Sequence, residues 1–315
     1  MPATRTVGFR PLGHSDAAFA AAAEAAVDPA HRLSGEEVLS RWANTEKGAH
    51  VKRFAVQVDG ADVGWISLVK PHGSAGDAVW LNLIVPGEDE RVLNAALTFG
   101  EAEAEELHPS VLVSPIWQSQ AAAIRVLNRR GYEQKRGQRF WRLDLAPNAA
   151  RLIELRAISV SKVVSHGVRL ASAAELGVDS VYPALYAIND AASRDIPSSV
   201  PYTPETYETW LGWMQSPWIF PDRVWVALAE GEPVGYSYLA YRPSSAQTGF
   251  TGVLSKHRNM GIAKALKIET LVQAVELGID AVETDNDYEN APILHLNEEL
   301  GYREVASQFE FHKPV

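Results

Sequence analysis

The sequence predicts a mixed α/β chain built as two tandem copies of one fold. Three observations carry that prediction. The chain has 315 residues, a length that suits about two domains. Strand-like and helix-like patterns alternate, and the same order of elements starts again after a helical stretch that opens at Pro147. Two landmarks also recur at one offset. Val58-Asp59-Gly60-Ala61-Asp62-Val63-Gly64-Trp65 matches Ala229-Glu230-Gly231-Glu232-Pro233-Val234-Gly235-Tyr236, so Gly64 falls opposite Gly235, 171 positions on. Gly131-Tyr132 matches Gly301-Tyr302, 170 positions on. A period this long marks a domain duplication, not a solenoid unit. The boundaries read as 1–145 for the first copy, 146–165 for a helical connector and 166–315 for the second copy.

In the first copy, Val7 to Leu12 reads as a strand and the Ala-rich stretch after Asp16 as a helix capped by that aspartate. Ser34 opens a second helix, with Glu37 three residues on as a capping box requires. Phe54 to Val58 and Val63 to Val69 form a hairpin around Asp59-Gly60. Val79 to Val85 is a strand, and Val92, Ala96, Phe99 and Ala102 share one helical face. A short strand at Val111 to Val113, a helix at Ala121 to Asn128 and a strand ending at Leu145 close the copy.

The connector, Pro147 to about Val164, places Leu152, Leu155, Ile158 and Ser159 on a common face. In the second copy Val168 to Leu170 is a strand and Val181 to Ile188 lies in a helix. The stretch Asn189 to Pro221 is rich in Pro, Ser, Trp and Tyr. A helix is expected there with Thr203 as N-cap and Pro204 at its first position. A hairpin around Glu230-Gly231 follows, then a strand from Phe250 to Leu254, a turn and a helix from Gly261. Ala281 to Thr284 is a strand, Asn290 to Leu300 a helix, and Val305 to Phe311 a last strand.

Composition narrows the function classes. Hydrophobic content of 46% and charged content of 22% suit a globular protein. There is no cysteine, so disulfides, thiolate metal sites and a cysteine nucleophile are excluded. The net charge of −10 argues against nucleic acid as a partner. No run approaches the roughly 18 apolar residues of a membrane span. No basic region precedes the Ala-rich N-terminal stretch, so it does not read as a signal peptide. A cytoplasmic location is expected. No G-x-x-x-x-G-K-[ST] loop, G-x-G-x-x-G fingerprint or H-E-x-x-H pair occurs, and no metal site is expected. Gly235-Tyr236-Ser237-Tyr238-Leu239 lacks the second glycine of a nucleophile elbow.

The stretch Gly249 to Lys267, GFTGVLSKHRNMGIAKALK, carries the chemistry. A strand running through a tight turn into a helix leaves unpaired N–H groups at the positive end of the helix dipole. Gly261 and Ala263 keep the surface bare enough for a diphosphate, and Arg258 and Lys264 stand beside it. An ordinary strand-to-helix turn needing a glycine is the other reading of this motif alone. Opposite it, the first copy places Glu88-Asp89-Glu90, with Arg91 at the position of Gly261 and Leu93 at that of Ala263. Three carboxylates and the lost glycine argue that the first copy binds no diphosphate there.

The spacing R-x-x-G-x-A after a strand resembles the acetyl-coenzyme A signature of the GNAT N-acetyltransferase superfamily. Thr284-Asp285-Asn286-Asp287-Tyr288-Glu289-Asn290-Ala291, ending in Asn297-Glu298-Glu299-Leu300-Gly301-Tyr302, is similar to that family's N-x-x-A…LG[FY] segment. The resemblance covers most of the second copy, and the whole chain resembles tandem GNAT proteins, of which mycothiol synthase is one known type. It implies two mixed, mostly antiparallel sheets with flanking helices, each with strands four and five splayed into a V. It also implies acetyl-CoA lying in the second V as cosubstrate. Val253 and Leu254 would then meet the acetyl and pantetheine parts through their main chain. Arg258, Asn259, Met260, Gly261, Ile262, Ala263 and Lys264 would cradle the pyrophosphate. Asn286 or Asn290 would bond from the other wall, and Asn290 reads equally well as a helix N-cap ahead of Pro292.

The activity this implies is acetyl transfer to a primary amine of a small molecule by direct attack in a ternary complex. An amide near Leu254 is expected to stabilise the oxyanion. Many family members place a tyrosine four residues before the glycine of LG[FY], where this chain has Asn297, which cannot supply a proton. Tyr288, His295 and Tyr302 are substitutes for that acid. Glu283, Asp285, Asp287, Asp190 and Asp195 are candidates for the base. The catalytic set is therefore read as Asn297, Tyr288 and Glu283. Tyr202, Tyr207, Trp210, Trp213 and Trp218 either line an acceptor pocket or form core. A non-catalytic acetyl-CoA-binding protein, or a transferase using another acyl-CoA, is the alternative. The chain is expected to act as a monomeric pseudo-dimer or a homodimer.

Overall fold

The structure, a computed structural model, describes residues 5–28, 33–72, 77–197, 202–242 and 246–315. Residues 198–201 of the aromatic stretch therefore lie outside the described residues. The chain divides into two units. One holds residues 1–139, 198–203 and 306–315, and the other holds 140–197 and 204–305. The boundaries read from the sequence are contiguous, whereas unit one also takes a short mid-chain segment and the last ten residues.

Unit one contains β1 (Val7–Pro11), α1 (Ala17–Val27), α2 (Gly35–Gly48), β2 (Ala49–Val58), β3 (Ala61–Pro71), β4 (Ala78–Ile84), α3 (Glu90–Glu105), β5 (Val111–Trp117), α4 (Ala121–Arg129) and the start of β6 (Glu133–Asp144). Unit two contains the rest of β6, then α5 (Leu145–Ser165), β7 (Val168–Ser172), α6 (Ala173–Leu176), α7 (Val178–Ser193), α8 (Tyr207–Met214), β8 (Val224–Ala229), β9 (Glu232–Tyr241), β10 (Ala246–Val253), α9 (Ile262–Glu276), β11 (Ala281–Asp287), α10 (Ala291–Leu300) and the first residues of β12 (Arg303–Pro314).

In unit one the sheet runs β1-β2-β3-β4-β5-β12, antiparallel except for β4 with β5. Its last strand comes from the far end of the chain, where Gln308–Pro314 pairs with Trp117–Val111. Leu81, Leu97, Val126 and Phe311 pack on one face, and Val38, Trp42 and Trp65 with α1 on the other. The capping box at α2 forms as read, Ser34 N–H donating to Glu37 Oε2 at 2.7 Å and Glu37 N–H to Ser34 Oγ at 3.2 Å. Asp16 precedes α1 without capping it, because its carboxylate is engaged by Arg10 and the Gly13 amide.

In unit two the sheet runs β7-β8-β9-β10-β11, again antiparallel except for its last pair. Leu152, Ile268, Leu271, Val282 and Leu300 fill one side, and Leu185, Trp210, Val226 and Tyr236 the other. The connector is α5, whose Arg156 grips the buried Glu269 of α9 at 3.0 and 2.9 Å. α9 is therefore buried nearly all round, between α5 and the sheet. The helix expected from Thr203 starts at Tyr207, and Thr206 caps it by accepting from the Thr209 amide. Thr203-Pro204-Glu205 stays outside the helix.

The duplication survives in backbone detail. Asp59 and Gly60 (φ 51° and 83°) and Glu230 and Gly231 (φ 54° and 88°) make the same left-handed hairpin turn. A bulge follows at Val63 in one copy and at Val234 in the other. A Cβ on Gly64 would lie 2.5 Å from the Ile84 carbonyl oxygen, and one on Gly235 would lie 2.9 Å from that of Gly252. Each glycine lets the next strand's end pass close by.

Candidate functional site

The strand β10 ends at Val253, a single 3-10 turn follows at Ser255–His257, and α9 starts at Ile262. Asn259 (φ 65°) and Gly261 (φ 83°) are left-handed, a conformation asparagine tolerates and glycine adopts without strain. That path turns the chain sharply into the helix, and the Ala265 amide makes the first helical bond, to Gly261 O at 3.0 Å. Among the described residues, the main-chain N–H groups of Asn259, Met260, Gly261, Ile262, Ala263 and Lys264 have no hydrogen-bond partner. Six open amides thus lead into the start of a 15-residue helix, an arrangement chemically suited to an anion.

Of the cations expected there, Arg258 and Lys264 are already engaged. Arg258 Nε donates to Val253 O at 3.1 Å, and its guanidinium meets Asp195 at 2.6 Å. The Lys264 ammonium pairs with Glu299 of α10. Sequence reading missed a third. A Cβ on Gly261 would stand 3.4 Å from Cδ and Cε and 3.6 Å from Nζ of Lys162. This exposed lysine of α5 has no ion pair or side-chain hydrogen bond among the described residues. Its place near the end of the connector helix gave no signal, because the contact joins residues a hundred positions apart.

The parallel pair β10–β11 holds only at Ala246↔Val282 and Gln247↔Glu283. Immediately beyond, Gly249 forms a bulge against β9, and the strands part. Glycine is required there, since a Cβ would fall 2.0 Å from the Tyr238 ring. The Leu254 amide, expected to face a developing oxyanion, is spent on Val234 O at 2.9 Å. Antiparallel alternation then turns the N–H and C=O of Val253 and Thr251 away from β9, to the edge that β11 has left. The Arg258 bond to Val253 O agrees with that orientation. Val253 N–H replaces Leu254 N–H as the donor on the open edge.

On the other wall, Asn297 is fully buried and donates Nδ2 to Asn286 Oδ1 at 2.7 Å, its own Oδ1 lacking a partner. These two amides hold each other. Asn290 occupies the N-cap position of α10 but its side chain caps nothing. Tyr288 is half-buried in the turn before it, His295 is exposed, and Tyr302 is core. The carboxylates read as bases are occupied: Glu283 by Arg142 at 3.1 Å, Asp190 by Arg194, Asp195 by Arg258, Asp285 by Gln247 at 3.4 Å and Asp287 by the Glu289 amide. Trp210 is core, stacked with Tyr207, while Trp213 bonds Glu205. Beneath the cleft, Lys267 of α9 is 1% exposed with Nζ 5.0 Å from the Tyr302 ring centre, and burial pushes its pKa down to about 7.

The corresponding loop of unit one is filled by its own side chains. Asp89 caps α3 by accepting from the Arg91 amide at 3.0 Å. Arg125 and Arg129 of α4 hold Glu88 and Glu90. Among the described residues no cluster of His, Cys, Asp or Glu could hold a metal ion, and no helix is long and apolar enough to cross a membrane.

Comparisons with known proteins agree with this geometry. The profile of the Acetyltransferase (GNAT) family matches residues 185–302, a span holding α8 to α10 and the whole loop. No curated protein matches the chain. Among solved structures, a GCN5-related N-acetyltransferase from Sphaerobacter thermophilus is similar at 21% identity and a TM-score of 0.70, over 98% of this chain and 95% of that one. A tandem GNAT protein from the clavulanic acid biosynthesis pathway is similar at 15% identity and a TM-score of 0.73, over 98% of both. FemX is similar at 12% identity and 0.55, over 98% of this chain and 97% of that one. The chain has the tandem GNAT fold, and residues 185–302 match the Acetyltransferase (GNAT) family.

Proposed function

We propose that unit two transfers an acetyl group from acetyl-CoA to a primary amine of a small molecule, by direct attack in a ternary complex. The observation that carries this is the row of six open amides at α9 set beside the open edge of β10. Amides 259–264 and Lys162 would hold the pyrophosphate, and the Val253 and Thr251 main chain would pair with the pantetheine. Asn290 would bond from the opposite wall. Acetyl-CoA would supply an activated thioester carbonyl, and Val253 N–H, on the open edge of β10, would stabilise the oxyanion. The Asn286–Asn297 pair borders the site without a proton to give, so the thiolate takes its proton from Tyr288 or water. Unit one, with Asp89 across its own amides, takes no part in holding the coenzyme.

A second reading, acetyl-CoA binding without transfer, draws on Asn297, buried and bonded to Asn286 where a tyrosine would serve as acid. Turnover separates the two. Release of coenzyme A thiol is measured against a panel of amines, with Arg258→Ala and Gly261→Glu as controls. Transfer that both substitutions abolish supports the proposal, and activity unchanged by Gly261→Glu refutes the site. Tight acetyl-CoA binding with no thiol release for any amine favours the second reading.

A further inference from the structure

Glu205 stands just before α8 on the face of the sheet covered by α7 and α8. Its main-chain oxygen accepts from Tyr186 Oη at 2.6 Å, and its Oε1 accepts from Trp213 Nε1 at 2.8 Å. It is half-buried, and among the described residues no lysine or arginine pairs with it. Tyr186 in turn packs on Trp210, ring centres 5.8 Å apart, and Trp210 Nε1 donates to Tyr236 Oη of β9 at 3.4 Å. The ring of Tyr238 lies on Gly249, the bulge at which β10 parts from β11, and Tyr236 stacks on Phe250 with ring centres 4.7 Å apart. Glu205 thus stands on the face of the sheet whose aromatic residues pack against β10.

A half-buried carboxylate supported by a single indole N–H lacks the cation that would balance its desolvation. The acids of the loop and of β11 differ, each having a partner in the chain. What would complete Glu205 is a cation from outside, and the indole of Trp213 and the ring of Tyr238 give such a cation aromatic neighbours.

We propose that Glu205 binds the acceptor as a protonated primary amine and takes its proton. This rests on the transferase reading of unit two. The ammonium gives one proton to the carboxylate, and the nitrogen lone pair forms the C–N bond at the thioester carbonyl. As the C–S bond breaks, its electron pair stays on sulfur. The second nitrogen proton ends on that sulfur, and the carboxyl releases its proton to solvent. Amine and thioester thus become amide and thiol with no further reactant.

Burial raises the carboxyl's pKa, and the Trp213 bond lowers it. The titratable and polar groups around it are Trp213 of α8 on its carboxylate, Tyr186 of α7 on its main-chain oxygen, and Tyr236 and Tyr238 of β9, with Tyr182 and Arg242 acting on those tyrosines. Tyr182, Tyr236 and Tyr238 are pushed up from the usual phenol range, so the carboxyl titrates before them.

The test uses the full chain with acetyl-CoA and three probes: tyramine, putrescine and glucosamine. Wild type is expected to acetylate at least one, with an acid limb in kcat/KM set by a carboxyl above its ordinary range. Glu205→Gln should lower kcat about 100-fold or more and erase that limb, while acetyl-CoA affinity stays within about twofold. Glu205→Asp should keep part of the activity and the limb. Trp213→Phe, which removes a bond to the charged form, should move the limb to higher pH. Glu205→Gln within about threefold of wild type with an unchanged limb overturns the proposal. So does equal loss in Glu205→Asp and Glu205→Gln with acetyl-CoA binding gone, the mark of a structural role. A wild type that holds acetyl-CoA but acetylates none of the probes overturns the amine assignment. A wild type that does not hold acetyl-CoA refutes the transferase reading itself, and this inference with it.

Discussion

Replacing Lys267 by methionine should stabilise unit two by an amount that depends on pH in a defined direction. The ammonium tip of this α9 residue lies over the Tyr302 ring, and among the described residues no hydrogen bond compensates its burial. Desolvation is the main cause of its lowered pKa, and Asp285 pulls weakly the other way. The folded value is about 7 against 10.5 for the exposed side chain. Below pH 7 the folded protein must keep or expel a proton that the unfolded chain binds readily, so the penalty is full there. It fades as pH rises from 7 towards 10.5, because the unfolded chain then also loses the proton. At 1.36 kcal/mol per unit the full penalty is about 5 kcal/mol, and it falls to roughly 2 kcal/mol at pH 9. Methionine has nearly the same length and no charge, so Lys267→Met removes the penalty with little change in packing. Urea unfolding of both proteins at pH 6, 7.5 and 9 gives the stability difference, and subtraction cancels every other titrating group. The difference should favour methionine most at pH 6 and shrink by about 2–3 kcal/mol at pH 9. A difference flat across this range, or wild type the more stable at pH 6, would refute the reasoning.

Lys162→Ala should weaken acetyl-CoA about three- to tenfold by calorimetry, as expected for one charge-assisted bond, and the loss should shrink at high salt. Affinity for pantetheine, which has no phosphate, should not change. Gly249→Ala should destabilise the protein by about 1–3 kcal/mol in thermal unfolding, since the new methyl falls on the Tyr238 ring. Ser34→Ala should remove one side of the capping box at α2 and reduce unit-one stability by about 1 kcal/mol in urea. Arg142→Ala, which removes one partner of Glu283, should leave the acid limb of the pH–rate profile in place, since that limb belongs to Glu205.

The fold was legible where local geometry forces a residue. Asp59-Gly60 and Glu230-Gly231 need left-handed turns, and Gly64 and Gly235 need room for a passing strand, so the repeat could be read from glycines alone. The loop at Gly261 was legible for the same reason. What the sequence left hidden are contacts set by packing between distant segments. Pairing of residues 308–314 with 111–117 carries no local mark, since any strand with an apolar face could fill that edge. Lys267 sits at a helical position that reads as polar surface until α5 and α10 are seen to cover α9. Leu254 looked like the open amide because register decides which residue of β10 faces outward, and the bulge at Gly249 shifts that register by one. Thr203 and Thr206 are equally good caps in isolation, and the choice of Thr206 is what leaves Glu205 outside α8.

The most direct test of the account is a calorimetric titration of the full chain with acetyl-CoA, beside Gly261→Glu and Lys162→Glu. The account predicts one acetyl-CoA per chain in wild type. It predicts binding abolished by a side chain forced into a φ of 83° with a carboxylate at the amide cradle, and weakened by reversing the neighbouring charge, with both variants folded by circular dichroism. Two molecules bound per chain, or a wild-type affinity in Gly261→Glu, would contradict it.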